Sequence, residues 1–253
     1  MPFARIAEQT LEVARIPGAS PTLVFLHEGL GCVARWRDFP AQVAAATGRA
    51  AVVVSRRGYG QSEPAELPRP PTFMHEEALN VLPHLLTSET AGDAILIGHS
   101  DGASIALVYT GSIGAGVRGV VAMAPHVFVE EICVRQITAL RADYLDPSTE
   151  VRAKLARHHR DVDHTFLGWA DVWLSPAFRD WNITNYLPGI RVPVMALQGE
   201  GDEYGTLAQI DAVCARVSGP CERVVLEDCG HVPQRDQPEK TLASVVRFVE
   251  SLV

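Results

Sequence analysis

The sequence Gly98-His99-Ser100-Asp101-Gly102 lies between an apolar run at residues 94–97 and a stretch of helical character at residues 103–110. It is a Gly-x-Ser-x-Gly pattern with a strand predicted before it and a helix after it. A serine in this setting occupies a tight, strained turn that holds its hydroxyl clear of the sheet edge. The flanking glycines, which lack a Cβ, let the strand and the helix pack closely at that turn. Ser100 is therefore a candidate nucleophile.

On both sides of this turn, short apolar runs alternate with helical patterns over most of the chain. The opening segment, residues 5–16, alternates in polarity and predicts one or two antiparallel strands. We predict further strands at residues 22–27, 51–55, 94–97, 118–124, 192–197 and 222–226. We predict helices at residues 38–46, 73–86, 103–110, 206–217 and 240–252. Continuous apolar strands alternating with helices indicate an α/β fold with a mostly parallel sheet covered on both faces.

This alternation stops between residues 127 and 187, where the sequence is helical or irregular and rich in histidine and tryptophan. It resumes at the strand predicted at residues 192–197. We therefore expect a core domain made of residues 1–126 and 190–253, and a helical cap inserted at residues 127–189. A chain of 253 residues is long enough for one such domain with an insertion.

Composition excludes several function classes. The net charge of −8 argues against nucleic-acid binding, which needs a basic patch. No apolar run approaches the ~18 residues of a membrane span, and residues 1–16 lack the features of a signal peptide. These features favour a cytoplasmic protein. The oligomeric state stays open, and a homodimer is compatible with the sequence. Five scattered cysteines without a Cys-x-x-Cys pair indicate reduced thiols rather than a disulfide framework or a metal site.

The same absence of motifs argues against a cofactor. No Gly-x-Gly-x-x-Gly follows a strand, and the segment Arg57-Gly58-Tyr59-Gly60 lacks the third glycine of a dinucleotide fingerprint. His158, His159 and His164 have no ligand-like spacing supported by carboxylates, so we expect them to be solvated or to lie on a lid face. We predict no metal, nucleotide or flavin.

Polar residues follow three predicted strands, at the carboxyl ends where functional groups gather in an open α/β sheet. Ser100, Asp202 and His231 occur in that chain order. An imidazole can take the proton of a serine and return it to a leaving group, while a buried carboxylate holds the imidazole in the required tautomer. Asp228 is an alternative acid, because it lies closer to His231 in sequence.

At this point the chain resembles the α/β-hydrolase superfamily over nearly its whole length. The matching segments are His27-Glu28-Gly29-Leu30-Gly31, Arg57-Gly58-Tyr59-Gly60-Gln61-Ser62, Gly98-His99-Ser100-Asp101-Gly102, Gly199-Glu200-Gly201-Asp202, and Gly230-His231 followed by Gln237-Pro238-Glu239. The resemblance implies a serine hydrolase with a helical lid. It favours Asp202 over Asp228, because Asp202 follows the strand that carries the acid in this family.

Acyl transfer also needs two N–H donors for the oxyanion. One is the backbone N–H of Asp101, the residue after the nucleophile. The resemblance implies Gly29 as the second donor, with Leu30 as the runner-up. The chain departs from the family pattern at Glu28, whose carboxylate we expect to point away and to bond to a neighbouring loop. It departs again at Ser55-Arg56, where many relatives carry an aspartate. We interpret this second departure as a structural loop with different hydrogen bonding.

The lid of this family covers the nucleophile, so its aromatic residues divide between packing and the pocket. The aromatic residues of the insertion are Phe166, Trp169, Trp173, Phe178, Trp181 and Tyr186. Most should pack between lid and sheet. For the substrate pocket we predict Trp169, Trp173 and His99. Packing or hydrogen bonding beside the nucleophile is the simpler role for His99. The resulting pocket is apolar and fits a small hydrophobic acyl substrate.

These features predict a carboxylesterase-like serine hydrolase that cleaves a small hydrophobic ester, thioester or carbon–carbon bond through an acyl-serine intermediate. The same residues permit a cofactor-free haloperoxidase, a lyase or an aminopeptidase. A non-catalytic ligand receptor or a pseudoenzyme scaffold of the same fold is a different class of alternative. A serine at the nucleophile position speaks against haloalkane dehalogenase and epoxide hydrolase activity.

Overall fold

The chain folds around one eight-stranded sheet in the computed structural model, which describes residues 2–253. The strands are β1 (Phe3–Ile6), β2 (Gln9–Ile16), β3 (Ala19–Leu26), β4 (Arg49–Ser55), β5 (Ala94–His99), β6 (Val117–Met123), β7 (Val194–Gly199) and β8 (Cys221–Leu226). Their order across the sheet is β1-β2-β4-β3-β5-β6-β7-β8. The pairs β1–β2 and β2–β4 are antiparallel, and the other pairs are parallel. This confirms the predicted fold class.

Helices cover both faces of the sheet and fill the segment between β6 and β7. They are α1 (Phe39–Thr47), α2 (Phe73–Glu76), α3 (Leu82–Glu89), α4 (Asp101–Ser112), α5 (Glu131–Leu145), α6 (Val151–Ala156), α7 (Val162–Leu174), α8 (Ala208–Arg216), α9 (Pro233–Asp236) and α10 (Pro238–Glu250). A π-helical turn, Glu77–Val81, joins α2 to α3. No helix within residues 2–253 is long and apolar enough to cross a membrane.

The core has two layers because the central strands are apolar on both faces. On one face, Phe25 and Ile97 pack with residues of α1 and α10, such as Phe39 and Phe248. The larger layer on the other face continues into α5 and α7 of the helical segment, residues 127–189. Because these strands are buried on both faces, they are continuous apolar runs in the sequence.

The parallel register brings the carboxyl ends of six strands, β3 to β8, to one edge. Leu26 of β3 pairs with Gly98 of β5, and His99 of β5 pairs with Met123 of β6. Gly199 of β7 pairs with Leu226 of β8. The loops that carry the candidate catalytic residues all leave the sheet at this edge, so residues 131 positions apart can meet there.

The prediction of reduced cysteines is wrong for one pair. Cys214 at the end of α8 and Cys221 at the start of β8 form a disulfide, with their Cα atoms 5.2 Å apart. The short turn between helix and strand brings the two residues together. Their spacing in the sequence matches no known cysteine motif, so the sequence alone did not indicate the pair. Cys32, Cys133 and Cys229 are free and buried, as predicted.

Candidate active site

Ser100 occupies the sharp turn between β5 and α4. Its φ of 52° and ψ of −120° lie in a region that non-glycine residues rarely adopt, and such strain clusters at functional sites. The glycines on either side, Gly98 and Gly102, are required because neighbouring backbone atoms leave no room for a Cβ at these positions. A Cβ on Gly98 would overlap Ala103, and a Cβ on Gly102 would overlap the carbonyl of Leu26. The local sequence thus forces the backbone to present the serine side chain at the sheet edge.

The structure brings Ser100, His231 and Asp202 into one hydrogen-bonded chain. The Nδ1 of His231 lies 2.8 Å and 2.9 Å from the two carboxylate oxygens of Asp202. Because a carboxylate can only accept, Nδ1 carries the hydrogen and Nε2 is the free base. That Nε2 accepts the hydroxyl of Ser100 at 3.0 Å. This arrangement places an unprotonated imidazole nitrogen within hydrogen-bond reach of the serine hydroxyl, as general-base chemistry requires.

The carboxylate of Asp202 is fixed by more than the histidine. It accepts the N–H of Tyr204 at 2.8 Å and the side-chain amide of Gln198 at 3.0 Å. Burial by itself would raise the pKa of Asp202, but the bonds from His231 and Tyr204 outweigh it and hold the pKa below its usual value. The alternative acid, Asp228, lies on the exposed surface at the end of β8. The geometry therefore favours Asp202 as the acid.

Three aromatic rings enclose the imidazole of His231. The ring centroids of Tyr204, His99 and His126 lie 4.7, 5.3 and 5.6 Å from it. The Nε2 of His99 donates to the backbone carbonyl of His231 at 2.7 Å. His99 therefore positions the histidine loop, which agrees with its simpler role beside Ser100; it is not among the residues that line the cavity, and its contact with a substrate stays a prediction. Burial lowers the pKa of His99 to about 4 and that of His126 to about 3.

His126 is a site residue that the sequence analysis missed. It follows β6, is 2 % exposed and lies between the rings of His231 and Trp173. Its position was detectable, because it lies at the carboxyl end of a parallel strand just as Ser100, Asp202 and His231 do. Its neutral ring is one wall of the cavity beside the candidate base.

The loop after β3 borders Ser100. Gly29 and Leu30 line the same cavity as Ser100 and Asp101, and a Cβ on Gly29 would overlap the indole of Trp169. The carboxylate of Glu28 bonds to Arg35 at 3.3 Å, within the same connection between β3 and α1, and not to a neighbouring loop as expected. Glu28 also lines the cavity, where it had been expected to point away. Burial raises its pKa, but Arg35 and His99 outweigh that effect and lower it.

Of the two roles expected for His159, solvated or on a lid face, burial excludes the first. His159 is 5 % exposed and connects the helical segment to two loops at the sheet edge. Its Nδ1 accepts the N–H of Gly60 at 3.0 Å, and its Nε2 donates to the carbonyl of Leu30 at 3.0 Å. Burial lowers its pKa to about 4, so the ring is neutral and holds one tautomer. This contact holds the loop of Gly29 and Leu30 in place.

A cavity of about 280 Å³ opens above Ser100. Its inner wall is apolar and comes mostly from the helical segment. These residues are Cys133, Ile137, Leu140, Val151, Leu155, Trp169 and Trp173. Charged residues also line it, namely Glu28, Arg35, Lys154, Glu203 and Arg235. Trp169 and Trp173 thus lie where the pocket prediction placed them, and contact with a substrate remains a prediction.

Comparison with known proteins identifies the family. The model of the alpha/beta hydrolase family matches residues 23–245, which is most of the chain. The chain belongs to the alpha/beta hydrolase family. This α/β hydrolase is 31% identical over 98 residues to the sn-1-specific diacylglycerol lipase ABHD11 of Danio rerio. It is 29% identical over 82 residues to epoxide hydrolase A of Mycobacterium tuberculosis.

These two matches are partial. They cover 39% and 32% of this α/β hydrolase, and only 29% and 26% of the respective relatives. Among solved structures, the enol-lactonase from Burkholderia xenovorans LB400 superposes with a TM-score of 0.78 at 18% identity. That superposition covers 98% of this chain and 100% of the enol-lactonase. At this identity the likeness describes the shared fold.

Proposed function

We propose that this α/β hydrolase is a serine hydrolase that cleaves a small hydrophobic ester, thioester or carbon–carbon bond through an acyl-serine intermediate. The observation that carries the proposal is the chain of hydrogen bonds from Ser100 through His231 to Asp202 at the floor of an apolar cavity. Family membership supports hydrolysis as the general reaction.

The proposed reaction begins at the carbonyl carbon of the substrate. As the Oγ of Ser100 attacks, the Nε2 of His231 takes its proton, and Asp202 stabilises the resulting imidazolium. Negative charge develops on the carbonyl oxygen, which the N–H groups of Asp101 and Gly29 stabilise. Leu30 is the alternative second donor. His231 then protonates the leaving group, and a water activated by the same imidazole releases the acyl group from the serine.

The dimensions of the cavity favour a small substrate. Ligand pockets usually occupy roughly 300–1,000 Å³, and the cavity above Ser100, at about 280 Å³, lies just below that range. Its apolar wall contains two indole rings and four aliphatic side chains, a lining suited to a hydrophobic acyl group. A small ester or thioester with an apolar acyl chain is therefore the substrate class we propose.

Epoxide hydrolysis, suggested by one partial relative, is disfavoured by the nucleophile. Attack of a serine hydroxyl on an epoxide carbon forms an alkyl ether, which water does not readily cleave. Attack on an ester carbonyl forms an acyl ester, which water hydrolyses through a second tetrahedral intermediate. The serine at position 100 therefore favours acyl substrates.

The test is pre-steady-state hydrolysis of p-nitrophenyl butyrate. The wild type should release p-nitrophenol and label with a fluorophosphonate at Ser100, whereas Ser100→Ala should lose turnover by roughly 10⁴-fold or more. Ser112→Ala is the matched control, because Ser112 lies at the far end of the same helix. Equal turnover by wild type and Ser100→Ala would exclude the serine mechanism.

The same experiment separates the enzyme from the receptor and scaffold alternatives. Multiple turnovers per protein support the enzyme. A single stoichiometric release of p-nitrophenol without further turnover would support a ligand receptor that retains the triad. Absence of both turnover and fluorophosphonate labelling would indicate a scaffold without catalytic function.

A further inference from the structure

We propose that Arg56 is a positioning residue that ties together the two sides of the oxyanion hole. This inference rests on the proposed function, and it concerns the position at which the chain departs from the family pattern. One side of the hole is the loop after β3, with Glu28 and Gly29. The other side is Asp101, which follows the nucleophile.

The guanidinium of Arg56 contacts both sides. Its Nη2 donates to the carbonyl of Glu28 at 3.0 Å and lies 3.4 Å from the carbonyl of His27. The same nitrogen lies 3.7 Å from the Oδ2 of Asp101, a buried ion pair. The carbonyl of Glu28 belongs to the peptide group whose N–H is that of Gly29. A bond to this carbonyl therefore restrains the orientation of the proposed donor directly.

The backbone of Arg56 is fixed from the same direction. Its N–H donates to the Nε2 of His27 at 3.0 Å, and the Nδ1 of His27 donates to the carbonyl of Glu28 at 2.6 Å. Two paths therefore lead from Arg56 to this one carbonyl, through the guanidinium and through the imidazole. The ring of Tyr59 packs under the guanidinium, with Cζ 4.6 Å from the ring centroid.

Burial gives these contacts their strength. The side chain of Arg56 is 3 % exposed, and that of Asp101 is 1 % exposed. A buried charge is expensive unless it is paired, so each of these two groups requires the other. The Oδ2 of Asp101 has no hydrogen-bond partner, and its charge is compensated first by the guanidinium of Arg56 and second by that of Arg69. Without Arg56, the carboxylate of Asp101 would lose its larger compensating charge next to the site where negative charge develops.

An arginine suits this role better than a lysine. The planar guanidinium packs on the ring of Tyr59 while its Nη2 donates to the Glu28 carbonyl near Asp101, whereas an ammonium is a compact point charge. A lysine at position 56 would keep the charge but not this geometry. We therefore expect Arg56→Lys to recover only part of the function that Arg56→Met loses.

The experiment measures kcat and KM for p-nitrophenyl butyrate in Arg56→Met, Arg56→Lys and the control Arg57→Met. Arg57 is the neighbouring residue, but its side chain bonds to Pro64 and Glu63 at the surface. Loss of one oxyanion donor lowers kcat by roughly 10²–10³-fold. We expect kcat to fall about 100-fold in Arg56→Met and about tenfold in Arg56→Lys, with KM changed less than about threefold.

A second measurement reports on the oxyanion itself. A trifluoromethyl ketone forms a tetrahedral adduct with the serine, and ¹⁹F NMR follows the pH at which its hemiketal oxygen ionises. Weaker donors should raise that pH by about one unit or more in Arg56→Met and Arg56→Lys, and leave it unchanged in Arg57→Met. A residue that only stabilises the fold would not shift this titration in folded protein. If Arg56→Met does not fold, Arg56→Lys carries the test.

The outcomes separate two kinds of failure. A hemiketal titration in Arg56→Lys that matches the wild type, with kcat also unchanged, overturns the positioning role and leaves the serine mechanism intact. A loss confined to KM also overturns it. A wild type that neither hydrolyses the ester nor forms the adduct refutes the proposed function, and the role of Arg56 with it.

Discussion

The cavity of this α/β hydrolase has two walls that are built differently. The sheet edge provides Ser100, Asp202 and His231 from loops that follow buried parallel strands, with their polar atoms 2.8–3.0 Å apart. The helical segment, residues 127–189, provides mostly apolar side chains from α5, α6 and α7. Backbone geometry determines the first wall, and side-chain packing determines the second.

This difference explains what each wall can tolerate. A chain of buried hydrogen bonds is disrupted when one atom is displaced, because a buried polar group that loses its partner has no water to replace it. An apolar wall changes shape gradually, since hydrophobic substitutions of similar volume usually cost less than about 1.5 kcal/mol. Catalysis should therefore be sensitive to the sheet edge, and substrate choice to the helical segment.

The largest effect should come from breaking the sheet edge at its acid. Asp202→Asn should lower kcat by about 10⁴-fold, because an amide donor facing Nδ1 favours the wrong tautomer of His231. Steady-state hydrolysis of p-nitrophenyl butyrate measures the loss. Asp228→Asn is the matched control, and its exposed side chain should leave kcat unchanged. The reverse result, with Asp228→Asn inactive, would reassign the acid.

The sheet edge was also the region that sequence reasoning described well. The turn at Ser100 needs glycines at fixed positions, and apolar strands leave their polar residues at the carboxyl ends. Both features are local, so they are visible in one sequence. The parallel direction of the central strands follows from the same alternation of strands and helices. His126 lies at such a strand end too, and the same reasoning would have found it.

What the sequence could not reveal depends on contacts between distant segments. The bonds of His159 to Gly60 and Leu30 join residues about 100 positions or more apart. The ion pair between Arg56 and Asp101 joins two loops that show no charge pattern. The lining of the cavity by α5 and α7 depends on how these helices rotate against the sheet, and hydrophobic spacing alone does not determine that rotation.

The buried histidines around the cavity should make the stability of the protein sensitive to acid. Burial lowers the pKa values of His99, His126 and His159 to about 4, about 3 and about 4 in the folded state. Between these values and an unfolded pKa near 6.5, the unfolded state binds more protons, so stability falls as the pH falls. Each such histidine should cost on the order of 2 kcal/mol between pH 7 and pH 5.

Urea unfolding at pH 7 and pH 5 measures this loss, and His159→Gln isolates one contribution. A glutamine can donate to Leu30 and accept from Gly60, but it does not titrate. The variant should therefore lose less stability on acidification than the wild type, by on the order of 2 kcal/mol. His84→Gln, at an exposed position of α3, should behave like the wild type. Equal acid sensitivity of all three proteins would contradict the assignment of His159 as a buried residue that stays neutral in the folded state.

The smallest effect should come from reshaping the helical wall. Ile137 of α5 is 1 % exposed and lines the cavity, so Ile137→Ala should enlarge the space for the acyl chain. Because each methylene in an apolar pocket changes discrimination by roughly 10-fold or more, the ratio of kcat/KM for hexanoate over acetate esters should rise about tenfold. Leu145→Ala is the matched control, because Leu145 lies on the same helix at 55% exposure. If Ile137→Ala instead lowers kcat for both esters equally, the helical segment contributes to the chemistry itself. The assignment of catalysis to the sheet edge and of substrate choice to the helical segment would then be wrong.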